Sequence, residues 1–130
     1  MLEGPDGIFK NAKKGTYIVD TSTISPIASK EFAATAKKKE FIFVDSPMSG
    51  GITGAQAGTL TFMVGCDKEH FEPVKHVLLG MGKNVFHCGG PGTGEIAKIC
   101  NNLILGINMI STSEGLSLGE KLGMDPKILS

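Results

Sequence analysis

The segment Gly92-Thr-Gly-Glu-Ile-Ala-Lys-Ile-Cys-Asn-Asn102 decides how the rest of the chain is interpreted. Two glycines loosen the backbone just before a strong helical pattern begins. Lys98 and Asn102 are four residues apart and therefore share one face of the predicted helix. Most residues around Lys98 are apolar, and desolvation there favours the uncharged amine, which can carry a proton near neutral pH. The alternative is a lysine that extends its charge to the surface along its own stem.

Composition favours a single α/β domain of modest size. The chain has 130 residues, 18 of them glycine, and a formal net charge of zero. The sequence shows no basic patch or apolar run that would predict a nucleic-acid or membrane partner. Cys66, Cys88 and Cys100 lack metal-ligand spacing, so we expect reduced thiols and no metal site.

Apolar runs that end in polar loops alternate with helical patterns along the chain. This alternation predicts a mostly parallel sheet with crossover helices. Ser25-Pro26 is a typical helix start, and Gly123 is a typical helix stop. We expect a glycine-rich loop over residues 46–58, strands over 17–20, 41–44, 59–64 and 83–87, and helices over 26–39, 68–81 and 93–122.

Two polar segments follow predicted strands, where open α/β folds place their ligands. The hydroxyl groups of Asp20-Thr-Ser-Thr23 can contact a cofactor or can simply close a turn. In Asp45-Ser-Pro-Met-Ser-Gly-Gly51, free backbone N–H groups around the two glycines form a concavity suited to a carboxylate. Ser49 adds a donor to this concavity, and a flexible glycine turn is the alternative interpretation.

Three stretches together resemble the β-hydroxyacid dehydrogenase family. They are residues 45–51, the segment Gly58-Thr-Leu-Thr-Phe-Met-Val-Gly65, and the pattern Gly92-x-Gly-x-x-x-Lys98-x-x-x-Asn102. They occur in the family's order and with suitable spacing, and the match extends over residues 7–130. The joint occurrence of the three motifs is much more specific than any one of them.

The resemblance implies NAD-linked oxidation of 3-hydroxyisobutyrate to methylmalonate semialdehyde in valine breakdown, with NADP as the alternative cofactor. Lys98 matches the family's catalytic lysine, and Asn102 matches the residue that orients lysine and substrate. Ser49, Gly50 and Gly51 match the loop that binds the substrate carboxylate. Thr23 matches the threonine near the nicotinamide end of the cofactor.

The chain departs from the family at both ends. The family's Gly-x-Gly-x-x-Gly fingerprint does not precede the first strand. We therefore expect residues 1–92 to be the later half of a Rossmann-like NAD(P)-binding domain. Residues 93–130 would be the interdomain helix and the start of a helical C-terminal domain. On this interpretation the chain is an inactive fragment, with an exposed apolar surface over helix residues 96–110.

Two alternatives remain open at this point. One is a related reductase that acts on tartronate semialdehyde, glyoxylate or a similar short acid through the same lysine and carboxylate loop. The other is a non-catalytic binding protein with the dehydrogenase fold. The family also implies a homo-oligomer for the full-length enzyme, in mitochondria of a eukaryote or in the cytoplasm of a bacterium.

Overall fold

The computed structural model describes residues Leu2–Leu129; Met1 and Ser130 lie outside the described part of the chain. The second predicted region, 93–130, is therefore described only as far as Leu129. The chain divides into two compact units, Met1–Lys98 and Ile99–Ser130.

Over residues 2–98 the first unit contains five strands and four complete helices, and a fifth helix begins within it. The strands are β1 (Tyr17–Asp20), β2 (Ile42–Asp45), β3 (Met48–Ser49), β4 (Leu60–Gly65) and β5 (Gly82–Gly89). The helices are α1 (Ile8–Asn11), α2 (Pro26–Lys38), α3 (Gly51–Gln56) and α4 (Lys68–Leu78), followed by the start of α5 (Thr93–Lys121). Ser25 caps α2 as predicted, because its hydroxyl oxygen accepts the N–H of Ile27 at 3.2 Å.

The strands form one mixed sheet. β1 pairs with β2, and β4 pairs with β5, both in parallel. β4 runs antiparallel to β2, which it meets only at Asp45 and Gly65, and antiparallel to β3. The predicted α/β class is confirmed, with a Rossmann-like sheet that also contains antiparallel pairs.

The predicted loop over residues 46–58 is wrong in part. Met48 and Ser49 pair with Phe62 and Thr61 of β4, so this short segment is the strand β3. Helix α3 follows directly. The sequence shows neither element because its glycine and small residues carry no apolar periodicity. β3 depends on hydrogen bonds to β4, which is a distant part of the chain.

Two apolar clusters cover the two faces of the sheet. Phe43 belongs to the cluster that packs against α2, and the next residue, Val44, belongs to the cluster that packs against α4. Successive strand residues point to opposite faces, so the fully apolar run around them matches a sheet covered on both sides. This three-layer packing holds the strand ends on which the candidate site is built.

The second unit contains the remainder of α5 and the short helix α6 (Pro126–Leu129). Gly123, which has a φ of +91°, follows α5 and ends it as the sequence predicts. Several large apolar side chains of α5 are exposed, including Leu103, Ile104, Ile107 and Ile110. Among residues 2–129, no helix combines the length and apolar character needed to cross a bilayer.

Candidate active site

The ends of four strands line up in one row across the sheet. Asp20 of β1 is opposite Asp45 of β2, Asp45 is opposite Gly65 of β4, and Gly65 is opposite Gly89 of β5. Both predicted ligand segments, 20–23 and 45–51, begin at this row. Open α/β folds bind their ligands beyond the carboxyl ends of parallel strands, so the ends of the parallel pair β1 and β2 are the expected place for a ligand.

Asp45 fixes the start of α5 on this row. Its carboxylate is fully buried, and Oδ1 accepts the N–H of Gly92 at 2.6 Å while Oδ2 accepts the N–H of Glu95 at 3.1 Å. Gly92 directly precedes α5 and Glu95 lies in its first turn, where free N–H groups and the helix dipole favour an anion. Asp45 thus determines where α5 begins, and therefore where Lys98 lies.

Close packing at the start of α5 requires glycine. A Cβ atom on Gly94 would lie 2.2 Å from the carbonyl oxygen of Met63 and 2.8 Å from Oδ2 of Asp45. A Cβ atom on Gly65 would lie 2.4 Å from the same carboxylate oxygen. Gly94 also lies inside the helix, so its role is close approach to β4. The expectation that this glycine merely loosens the backbone before the helix is therefore wrong.

Sequence reasoning missed the functions of Asp45 and Glu95. Asp45 appeared only as the first residue of a loop, and Glu95 only as a letter in the helical motif. The available signal for Asp45 was an acidic residue that ends a fully apolar strand. A carboxylate at that position is either exposed beyond the sheet or held by partners that local sequence does not specify.

Burial affects both carboxyl groups. It raises the pKa of Asp45, and the N–H groups of Gly92, Glu95 and Gly94 oppose this rise. Burial also raises the pKa of Glu95. The N–H of Ile24 opposes this rise, and the charges of Asp45 and Asp20 add to it. Asp45 has a hydrogen-bond donor on each oxygen, whereas Oε1 of Glu95 has no partner within residues 2–129. Glu95 is therefore the carboxyl group that is less well stabilised as an anion.

Lys98 lies in the second turn of α5 and is half-buried. Its apolar neighbours Ile96 and Ile99 are 42% and 43% exposed, so α5 is less covered here than the apolar run suggests. Asn102 lies four residues further along α5 and is exposed. Thr23 is exposed in the polar loop between β1 and α2, as predicted.

The loop predicted to bind carboxylate lies along β4. Ser49 is half-buried at the end of β3, and Gly50 and Gly51 are exposed at the start of α3. Both glycines have left-handed backbones, with φ of +129° and +59°, which other residues rarely adopt. Within residues 2–129, no hydrogen bond joins Ser49 or these glycines to α5. The structure links Thr23 more directly to α5, because the N–H of the next residue, Ile24, donates to Oε2 of Glu95.

The polar groups at the row fit a dinucleotide better than a metal. The exposed hydroxyl groups of Ser22 and Thr23 at the end of β1 are suitable contacts for a ribose or a carboxamide. Among the described residues, no group of three or more His, Cys, Asp or Glu side chains is arranged to hold a metal ion.

Comparison with known proteins agrees with this geometry. The family model described as the NAD binding domain of 6-phosphogluconate dehydrogenase matches residues 1–90. This chain belongs to that family of NAD-binding domains. A second family model, described as the NAD-binding domain of NADP-dependent 3-hydroxyisobutyrate dehydrogenase, matches residues 92–130. The cofactor class is therefore NAD or NADP.

Several relatives are named as 3-hydroxyisobutyrate dehydrogenases, and another, from Eubacterium barkeri, is named as a 2-(hydroxymethyl)glutarate dehydrogenase. A probable mitochondrial 3-hydroxyisobutyrate dehydrogenase of Dictyostelium discoideum is 53% identical over 127 residues, which are 98% of this chain and 40% of the relative. The 3-hydroxyisobutyrate dehydrogenase of Pseudomonas aeruginosa is 46% identical, over 98% of this chain and 43% of that protein. The resemblance expected from the sequence is confirmed, and the chain spans about 40% of the length of these relatives.

A solved structure shows the same fold. The 3-hydroxyisobutyrate dehydrogenase of Mycobacterium tuberculosis, determined with L-serine, matches with a TM-score of 0.87 at 39% identity. The match covers 90% of this chain and 40% of that one.

Proposed function

We propose that this chain provides the catalytic lysine of an NAD-dependent 3-hydroxyisobutyrate dehydrogenase. The observation that carries the proposal is the anchoring of α5. The buried carboxylate of Asp45 accepts the N–H of Gly92 just before this helix and the N–H of Glu95 in its first turn, and Lys98 follows in the next turn. Lys98 is half-buried, and Glu95 in the preceding turn accepts the N–H of Ile24, next to the polar loop that is suited to a cofactor.

In this proposal each residue has one task. Ser49 and the N–H groups around Gly50 and Gly51 bind the substrate carboxylate. The amine of Lys98 accepts the proton of the substrate hydroxyl group during oxidation and returns it during reduction. Asn102 orients substrate and lysine, and Thr23 contacts the cofactor. When bound, NAD⁺ supplies the hydride acceptor.

The domain arrangement and the location belong to the same proposal. We assign residues 1–92 to the cofactor domain and 93–130 to the interdomain helix and the start of a helical domain. The division between the two matching family models, after residue 90, supports this assignment. Following the name of the Dictyostelium relative, we assign the protein to mitochondria if its source is eukaryotic. From the family resemblance, we assign it to the cytoplasm if its source is bacterial.

A chimera tests the function directly. This chain replaces the matching 127 residues of the Dictyostelium relative, and NADH formation is followed by absorbance. We expect oxidation of 3-hydroxyisobutyrate, with a kcat/KM at least about tenfold above that for glycerate. A folded chimera that binds NAD⁺ but prefers glycerate would assign the chain to a tartronate-semialdehyde type of reductase. A folded chimera that oxidises neither acid would contradict the proposal.

A further inference from the structure

Glu95 is a buried carboxyl group whose position the family motif leaves unspecified. Its side chain has no solvent exposure, yet Oε1 lacks a hydrogen-bond partner within residues 2–129. Burying a partly unsatisfied carboxyl group is costly, and a leucine or methionine in its place would cost less. The contacts that Glu95 makes indicate the role of this buried carboxyl group.

Glu95 joins two segments that are distant in sequence. Its Oε2 accepts the N–H of Ile24 at 3.2 Å, and Ile24 directly follows Thr23 in the loop after β1. Its own backbone N–H donates to Oδ2 of Asp45 at 3.1 Å. Lys98 is three residues further along the same helix, and residues at this spacing are neighbours on a helix surface. The Thr23 loop and the turn that carries Lys98 are therefore connected through one side chain.

We propose that Glu95 is a positioning residue, which holds the Thr23 loop at a fixed place relative to Lys98. This proposal rests on the proposed function, in which the loop contacts the cofactor and Lys98 carries the proton. Hydride transfer requires both to be placed to within a fraction of an ångström. Loss of the hydrogen bond would release the loop, while Asp45 would still hold the start of α5. The KM for NAD⁺ should therefore rise more than the KM for 3-hydroxyisobutyrate.

Two substitutions separate positioning from charge. Glu95→Gln keeps an acceptor oxygen for the N–H of Ile24 but removes the charge. Glu95→Met has a similar length and fills the buried space but offers no acceptor. Both variants are made in the Dictyostelium chimera, and kcat and KM are measured separately for NAD⁺ and for 3-hydroxyisobutyrate.

We expect Glu95→Met to raise the KM for NAD⁺ about tenfold, while the KM for 3-hydroxyisobutyrate stays within about threefold. Glu95→Gln should keep the KM for NAD⁺ within about threefold of the parent chimera. A Glu95→Met variant with unchanged KM values would overturn the proposal. Equal defects in both variants would also overturn it, because they would assign the effect to charge.

Two further measurements keep the test decisive. Hydrogen exchange of the Ile24 amide in the unsubstituted chimera shows whether the hydrogen bond exists. If Glu95→Met does not fold, protection of this amide in both the parent and Glu95→Gln supports the proposal, and exchange at the unprotected rate overturns it. An inactive parent chimera with a protected Ile24 amide would refute the proposed function while retaining the contact.

Discussion

Asp45→Asn removes the group that anchors α5 and changes little else in volume. Asparagine keeps one oxygen, so one of the two backbone N–H donors retains an acceptor. The other donor would face an amide nitrogen inside a fully buried site. Losing a charge-assisted hydrogen bond costs about 1.5–3 kcal/mol, and leaving a buried donor unsatisfied costs about 1–3 kcal/mol. Relief from burying a charge offsets part of this cost, so we expect a net loss of about 2–4 kcal/mol in the free energy of unfolding.

The pH dependence gives this substitution a second signature. Because burial raises the pKa of Asp45 above its ordinary value of 3.8, the folded state binds the proton more tightly than the unfolded state. The carboxyl group therefore favours folding most below its ordinary pKa, and this contribution is lost as pH rises through the raised pKa. Asn cannot titrate, so Asp45→Asn removes the loss of stability that the Asp45 carboxyl group causes as pH rises. The destabilisation caused by the substitution should therefore be largest at low pH.

Urea unfolding followed by far-UV circular dichroism, on the 130-residue chain at pH 4 and pH 7, measures both effects. Asp67→Asn is the matched control, because Asp67 is an exposed residue at the start of α4 whose side chain makes no capping hydrogen bond. We expect this control to stay within about 0.5 kcal/mol of the parent. Equal stability of Asp45→Asn and Asp67→Asn at pH 7 would refute the anchoring role.

Three other predictions concern the helix and its start. Gly94→Ala should destabilise the chain by about 1–3 kcal/mol or more in the same urea assay, because the new methyl group meets fixed backbone. Its control is Gly106→Ala, which has open space around it in the same helix and should stabilise the chain by about 0.5–1 kcal/mol. Equal effects of the two substitutions on stability would contradict the packing argument. Glu95→Gln should gain stability relative to the parent as pH rises above 4.5, because burial and the charges of Asp45 and Asp20 raise the pKa of Glu95 against the opposing N–H of Ile24 and charge of Lys98. A stability difference that stays constant with pH would contradict a raised pKa for Glu95. The exposed side chains of Leu103 and Ile107, 61% and 57% accessible, should make the isolated chain associate. Light scattering should then give a mass that rises with concentration and falls in Leu103→Glu/Ile107→Glu, whereas a monomer at every concentration would refute this.

Much of the fold could be predicted because local patterns determine it. Continuous apolar runs predicted β1 and β2, because a strand that is covered on both faces requires apolar side chains on both. The sequence also predicted strands at β4 and β5. Ser25-Pro26 predicted the start of α2, and Gly123 predicted the end of α5 within two residues. The third segment of the family motif predicted that Lys98 and Asn102 lie on one helix.

The remaining features depend on contacts between distant residues. β3 exists because Met48 and Ser49 pair with β4, and a two-residue strand has too few side chains to show a period. The role of Asp45 depends on N–H groups 47 and 50 residues away. The bond from Ile24 to Glu95 spans 71 residues. Residue types and local spacing do not predict which distant residues form hydrogen bonds. The arrangement that supports Lys98 is therefore seen only in the structure.

Lys98→Ala in the Dictyostelium chimera tests the central claim most directly. A positioned general base contributes about 10²–10⁴-fold, so kcat for 3-hydroxyisobutyrate oxidation should fall by that factor while NAD⁺ still binds. Added methylamine should restore part of the activity, because it supplies the missing amine to the space left by the side chain. A Lys98→Ala chimera that keeps kcat within about threefold of the parent would contradict the assignment of Lys98 as the proton carrier.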